Sequence, residues 1–151
     1  MTLVDNKPFR SVFYYRTSQH KVLSAISKLF LPSLEQIEIY ISPEKIGGGL
    51  RILHKSGSVI TPFSAGENLT VGQGVTIGTN KSRDYESGRH NPVIGKNVHI
   101  STNAVVIGGI TIGDNVTVGA GSVVNKDVPS NCVVAGVPAK IIKVLDTKNE
   151  G

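Results

Sequence analysis

The chain has 151 residues, one cysteine and no tryptophan, and its formal net charge is +5. A chain of this length predicts one domain with its own core, and a lone cysteine excludes an intramolecular disulfide. No apolar run approaches the roughly 20 residues of a membrane helix and the first residues lack the apolar stretch of a signal peptide, so we expect a cytoplasmic protein.

The N-terminal part is basic, since residues 1–31 carry five lysines and arginines against one aspartate. We favour a solvated helix face as the reason for this charge, with peripheral contact with the inner face of a membrane as the alternative. The apolar residues of 18–31 have helical spacing, with Ser18 expected as the N-cap and Pro32 as the stop. No aromatic residues alternate with the basic ones, so we expect no nucleic-acid partner.

A period of six residues dominates the second half of the chain. A helix repeats its apolar positions every three or four residues and a strand every two. A period of six predicts a chain that turns a corner after each short strand, as in hexapeptide β-helices. The rhythm begins near Ile46 after an alternating strand from Ile37, and it slips by one residue between Ile52 and Ala65. Its most regular part is Ile94, Ile100, Val106, Ile112, Val118 and Val124.

Two segments leave this rhythm and set the expected organisation. Residues 79–91 are polar and cannot fill a core, so we expect an extruded loop. Residues 125–144 form a turn and then a final strand with a Gly/Pro kink, which we expect to cap the β domain. The predicted organisation is a helical segment at 1–36, a β domain at 37–144 and a frayed tail at 145–151.

Two histidines, His54 and His90, interrupt the regular pattern. Imidazole takes up a proton near neutral pH, so either side chain suits a general base. The sequence has no Gly-x-Ser-x-Gly motif, and Cys132 lies in an apolar strand where a thiol is usually inert. Direct attack by an acceptor hydroxyl is therefore favoured over a covalent enzyme intermediate. A zinc site at His54, His90 and His99 is the competing hypothesis, but no pair has the spacing of many zinc sites, and we expect no metal.

Four motifs together carry a family resemblance: Gly-Leu-Arg-Ile-Leu-His at 49–54, Gly-Arg-His-Asn-Pro at 88–92, Gly-Ala-Gly-Ser-Val-Val at 119–124 and Ala-Gly-Val-Pro-Ala-Lys at 135–140. They resemble the serine acetyltransferase-like branch of the left-handed β-helix acyltransferases. The resemblance implies a mainly β protein, a left-handed parallel β-helix with a short N-terminal helical segment. It also implies a homotrimer with acetyl-CoA as co-substrate, bound between neighbouring subunits.

The resemblance also implies roles for individual residues. His54 matches the general base, His90 the second histidine of the active site, and Arg89 a residue that holds the acceptor. Glu38 is the nearby carboxylate that we add to the substrate-binding candidates. The residues matched to the acetyl-CoA groove are Gly78 at the thioester, Thr102 and Ala120 along the pantetheine, and Gly136 and Lys140 near the nucleotide.

Two departures from the family pattern affect the expected acceptor. The family places an aspartate before the base to bind the serine ammonium, whereas this chain has Leu53, and only about 35 residues precede the β domain. The leading expectation is therefore an O-acetyltransferase acting on a sugar hydroxyl in capsule or exopolysaccharide synthesis. The alternatives are serine O-acetylation in cysteine biosynthesis, a non-catalytic β-helix assembly module and a zinc lyase of the carbonic anhydrase type.

Overall fold

The computed structural model describes residues 12–13, 15–30, 37–39, 43–53, 57–80 and 88–145. Helix α1 spans Lys21–Phe30 and a single 3-10 turn spans Pro43–Lys45. Among the helices in these ranges, none has the length and hydropathy of a membrane span. The strands are β1 (Ile37–Ile39), β2 (Arg51–Ile52), β3 (Ser58–Ile60), β4 (Ser64–Ala65), β5 (Thr70–Val71), β6 (Thr76–Gly78), β7 (Val93–Ile94), β8 (His99–Ile100), β9 (Val105–Ile107), β10 (Thr111–Ile112), β11 (Val116–Val118), β12 (Val123–Val124), β13 (Cys132–Ala135) and β14 (Lys140–Val144).

These strands form three sheets that the chain visits in turn. The first sheet has the order β1-β3-β6-β9-β12, the second β4-β7-β10 and the third β2-β5-β8-β11-β13-β14. Every pairing is parallel except that of β13 with β14. Each parallel strand therefore pairs with strands of the same sheet that lie one turn earlier or later in the chain.

Inward-facing residues of the three sheets meet in one hydrophobic core. The six positions of the regular run between 94 and 124 are all buried, so this part of the sequence prediction is confirmed. β-branched side chains suit these short strands because they pack closely on a pleated surface. The core columns are Ile60, Ile77, Val106 and Val124 in the first sheet, Ala65, Ile94 and Ile112 in the second, and Ile52, Val71, Ile100, Val118 and Val134 in the third.

The chain turns between sheets along three edges, which we name by the sheets they join. At the second–third edge the turns stack closely: a Cβ on Gly66 would lie 2.8 Å from the carbonyl carbon of Gly95. Glycine at this position lets successive turns approach each other. Four asparagines on the same edge have positive φ: Asn68, Asn97, Asn115 and Asn131. The side-chain amide of each of the first three donates to Oδ1 of the asparagine in the next turn, at 2.8–2.9 Å.

The segment before α1 closes the first turn of the core. Residues 12–13 and 15–17 are helical, and Val12 and Tyr15 pack against the core cluster. The Arg16 guanidinium donates to the carbonyl of Ile46 at 2.7 Å and also to that of Gly47. These bonds satisfy carbonyls where the three-sheet structure begins, so the segment acts as a cap.

The predicted start of α1 needs a correction. The helix begins at Lys21 rather than after Ser18, because the Ser18 hydroxyl donates back to the Tyr15 carbonyl at 2.7 Å and ends the preceding turn. The apolar residues Val22, Leu23 and Ile26 are 74%, 46% and 50% exposed, so this face does not pack on the core. The expected stop at Pro32 lies outside the described residues.

The C-terminal region is a hairpin rather than the single kinked strand predicted from the sequence. Strand β13 belongs to the parallel third sheet, and the turn at 136–139 sends β14 back antiparallel beside it. Gly136 has a φ of 101°, a conformation that other residues rarely adopt. The mainly β class is confirmed, while the proposed domain limits stay predictions.

Candidate functional site

Thr61 organises the first–second edge, where the loop at 79–91 leaves and re-enters the sheets. Its N–H and its hydroxyl both donate to the Ile77 carbonyl, at 2.9 and 2.7 Å. The Asn91 amide donates to the Thr61 carbonyl at 2.6 Å, and the same amide lies 3.4 Å from the Thr61 hydroxyl. The two ends of the loop, Gly78 and Asn91, are thus held at one point of the edge.

Three of the predicted site residues come together here. Gly78 is buried at the end of β6, where an added Cβ would lie 3.0 Å from the Thr61 hydroxyl. Arg89 and His90 are half-buried in the segment that returns to the same edge. The structure therefore brings the residue matched to the thioester and the second histidine to one side of the molecule.

Positive charge gathers around an exposed aromatic ring at this edge. Phe63 is 47% exposed, and the Lys45 ammonium lies 5.3 Å from its ring centroid. The Arg89 guanidinium carbon lies 5.8 Å from the same centroid, and Arg89 Nη2 is 3.4 Å from the Thr111 hydroxyl. Each cation–ring contact of this kind stabilises an exposed site by about 0.5–1 kcal/mol. The cluster presents two cations at the edge to which the segment with His90 returns.

The other groove candidates lie on a different edge, the third–first edge. Thr102 is half-buried, Ala120 is exposed, and the Gly121 N–H donates to the Thr102 carbonyl at 2.9 Å, so these two turns stack. Gly136 and Lys140 are exposed where β13 turns into β14. Within one chain, these residues are separated from the Gly78 edge by the first sheet, whose three-residue strands span about 10 Å.

Two predicted residues cannot be placed at the level of side chains. His54 lies outside the described residues, but its described neighbours Leu53 and Gly57 flank the third–first edge. Leu53 is 42% exposed, and its N–H donates to the Val71 carbonyl at 2.8 Å. Glu38 lies in β1 in register with Val59, and its side chain is outside the described part of the chain.

Neither the thiol nor a metal cluster competes with the histidines in the described ranges. Cys132 is buried, its Sγ lies 3.2 Å from the Pro129 carbonyl, and burial raises the pKa of its thiol. A thiol with a raised pKa is a poor nucleophile at neutral pH. Among the described side chains, no three of His, Cys, Asp and Glu lie together as metal ligands would.

The sequence pattern does not assign residues 61–63 and 91 to the site. A usable signal was present, because Thr61-Pro62-Phe63 replaces the expected register between Ile60 and Ala65 with a rigid turn and an exposed aromatic ring. Asn91 stands in the Gly-Arg-His-Asn-Pro motif at 88–92, but nothing in that motif indicates a partner for its amide. Its contact with Thr61 spans 30 residues of sequence and becomes visible only in the folded chain.

The chain is similar in sequence to known transferases. Residues 91–126 match the family model described as bacterial transferase hexapeptide (six repeats). The chain carries hexapeptide repeats. The chain is 40% identical over 123 residues to a serine acetyltransferase of Synechococcus elongatus. The match covers 81% of this chain and 47% of that relative. The chain spans about half the length of the curated relatives it matches.

Solved structures of serine acetyltransferases are also similar to this chain. The serine acetyltransferase of Brucella abortus strain S19 in complex with coenzyme A is 33% identical, with a TM-score of 0.67 over 93% of this chain and 57% of that one. The serine acetyltransferase of Neisseria gonorrhoeae in complex with serine is 32% identical, with a TM-score of 0.64 over 91% of this chain and 57% of that one. These relatives are acetyltransferases, as the motifs predict.

The comparisons correct the expected acceptor. The leading expectation of a sugar O-acetyltransferase in polysaccharide synthesis is wrong, because the relatives at 40–43% identity are serine acetyltransferases. The expectation rested on Leu53 in place of the family's aspartate and on the short segment before the β domain. One exposed side chain beside the candidate general base is weaker evidence than similarity over four fifths of the chain, because another group can bind an ammonium.

Proposed function

We propose that this chain transfers the acetyl group of acetyl-CoA to the hydroxyl of L-serine, giving O-acetylserine and CoA. The observation that carries the proposal is the 40% identity to a serine acetyltransferase over 81% of the chain. The segment with Arg89 and His90 lies at an accessible edge, where Arg89 and Lys45 contact the same Phe63 ring, and this positive charge suits an acceptor with a carboxylate. The activity supports a role in cysteine biosynthesis.

The proposed architecture is a left-handed β-helix that works as a homotrimer. The three sheets visited in turn and the matching hexapeptide repeats support this architecture. His90 belongs to the first–second edge, whereas the described neighbours of His54 belong to the third–first edge. Because the first sheet separates these edges in one chain, we place the site between two copies, each contributing one histidine.

In the proposed reaction His54 is the general base. Its imidazole takes the proton of the serine hydroxyl while the hydroxyl oxygen attacks the thioester carbonyl, and the proton then passes to the departing CoA thiolate. Backbone N–H groups near Gly78 stabilise the oxyanion that forms. His90 positions the acceptor and Arg89 pairs with its carboxylate.

The remaining candidate residues bind the two substrates in this proposal. Thr102 and Ala120 line the pantetheine arm, and Gly136 and Lys140 lie beside the nucleotide, where Lys140 acts as a point charge for phosphate. With Leu53 in place of an aspartate, Glu38 is the proposed partner of the serine ammonium. A Glu38→Gln variant should then raise KM for L-serine and leave KM for acetyl-CoA unchanged.

The deciding experiment measures CoA release and O-acetylserine formation with purified protein, acetyl-CoA and L-serine. We expect turnover with L-serine that exceeds turnover with L-threonine or nucleotide sugars by at least about tenfold. His54→Ala should lower kcat by orders of magnitude while CoA still binds. Absence of turnover with L-serine contradicts the proposed function, and a wild-type rate in His54→Ala removes His54 from its role.

A further inference from the structure

The base of the 79–91 loop is closed by one residue. Thr61 donates through its N–H and its hydroxyl to the Ile77 carbonyl, which immediately precedes Gly78. The same residue accepts the Asn91 amide through its backbone carbonyl at 2.6 Å. The point where the chain leaves β6 and the point where it returns are therefore bound to a common partner.

A second bond fixes the returning segment immediately after Asn91. The Phe63 N–H donates to the Pro92 carbonyl at 2.7 Å, which begins the pairing that β4 and β7 continue. His90 precedes this anchored pair, so its Cα lies one peptide, about 3.8 Å, from the Cα of Asn91. The backbone of His90 is therefore held on its C-terminal side by the bonds of Asn91 and Pro92.

We propose that Asn91 and Thr61 are positioning residues that hold His90 beside the Gly78 end of β6. The proposal deepens the proposed function, because it assigns the device that places the second histidine at the site. The Asn91 amide and the Thr61 carbonyl are the atoms that carry it, and both residues are half-buried. Loss of the bond lets His90 move by an ångström or more, which is enough to slow a reaction that depends on orientation.

The chemistry of the bond provides matched variants. Asn91→Asp keeps the size of the side chain but cannot donate to a carbonyl, and Asn91→Ala removes the side chain. Thr61→Val removes the hydroxyl that binds the Ile77 carbonyl, and Thr61→Ser restores it. Asn97→Ala is the control, since the Asn97 side chain makes comparable hydrogen bonds at the second–third edge, away from the proposed site.

The kinetic test separates positioning from stability. Asn91→Asp and Asn91→Ala should lower kcat about tenfold with KM for acetyl-CoA unchanged, and Thr61→Ser should retain the rate that Thr61→Val loses. In a His90→Ala background, Asn91→Ala should cost less than about twofold, because the residue acts through His90. An equal loss with and without His90, or a matching kcat loss in Asn97→Ala, overturns the proposal.

A second readout needs no substrate. In the free protein, Asn91→Asp should shift or broaden the imidazole NMR signals of His90, assigned by His90→Gln, and leave those of His99 in place. Unchanged His90 signals overturn the proposal, whatever the activity. If wild-type protein fails to acetylate L-serine while the His90 signals still respond to Asn91→Asp, the proposed function fails and the positioning role stands.

Discussion

The side-chain amide of Asn97 donates to Oδ1 of Asn115 at 2.9 Å, and both residues have positive φ, 54° and 56°. Asparagine is suited to this corner because it tolerates the left-handed conformation and offers both a donor and an acceptor. Each corner residue thereby bonds to the turn before it and to the turn after it. The second–third edge is stabilised by side chains as well as by backbone.

Asn97→Ala should destabilise the protein by about 2 kcal/mol. It removes two side-chain hydrogen bonds, and it places alanine, which cannot form a local side-chain hydrogen bond, at positive φ. Asn97→Gly should cost about half as much, because glycine adopts positive φ freely. Thermal unfolding of both variants measures the difference. Equal Tm values for the two variants would show that the backbone conformation contributes nothing at this corner.

The close stacking of turns gives a second prediction. An added Cβ at Gly66 would lie 2.8 Å from backbone atoms of Gly95 and Lys96, whereas nothing lies within 4 Å of one at Gly48. Gly66→Ala should therefore destabilise by about 1–3 kcal/mol, and Gly48→Ala should stay within about 0.5 kcal/mol of wild type. Urea denaturation measures both. A Gly66→Ala protein as stable as Gly48→Ala would mean that the turns can separate without loss.

Tyr15 predicts a dependence of stability on alkaline pH. Burial raises the pKa of its hydroxyl from 10.0 to about 12, opposed by the neighbouring Arg16 guanidinium. The folded protein therefore holds the proton more tightly than the unfolded chain, so this contribution is complete below about pH 10 and declines from about pH 10 to about pH 12. Tyr15→Phe should reduce that decline.

The same variant should not lower stability at pH 7. Within the described ranges the buried Tyr15 hydroxyl has no hydrogen-bond partner, so its removal leaves no group unpaired. Tm measured against pH for wild type and Tyr15→Phe tests both statements. An identical alkaline decline in the two proteins would assign it to other groups.

The proposed split of the histidines between two copies predicts complementation. His54→Ala and His90→Ala should each be nearly inactive alone, and co-expression should restore about a quarter of the wild-type rate, because random mixing joins two intact halves at one interface in four. The mixture is assayed for CoA release with L-serine. No recovery from properly mixed oligomers would place both histidines in the same copy.

The sequence predicted the core because its signal is local and repeated. The positions Ile94, Ile100 and Val106 are buried at the predicted spacing, and each turn confirms the one before it. The C-terminal hairpin was not predicted, since an antiparallel return depends on the turn at Gly136 rather than on apolar spacing. A repeated pattern predicts the core positions of every turn, but it does not predict the structure that follows the last repeat.

The candidate site was less predictable than the core. His54 and His90 stand out because they interrupt a pattern, but nothing local shows how they lie relative to each other. The link between Asn91 and Thr61 crosses a loop that sequence spacing treats as a gap. The acceptor was misjudged from Leu53 because the absence of one ammonium partner does not show which group replaces it.

The reversed direction of β14 has a consequence for solutions of this protein at high concentration. A parallel outer strand would offer the backbone pattern with which any first turn of another molecule could pair, and such stacking leads to fibres. Strand β14 instead runs antiparallel to the rest of the third sheet, and it carries exposed lysines at 140 and 143. The parallel third sheet thus ends on a strand of reversed direction with two exposed lysines, which disfavours parallel pairing with a second molecule at that edge.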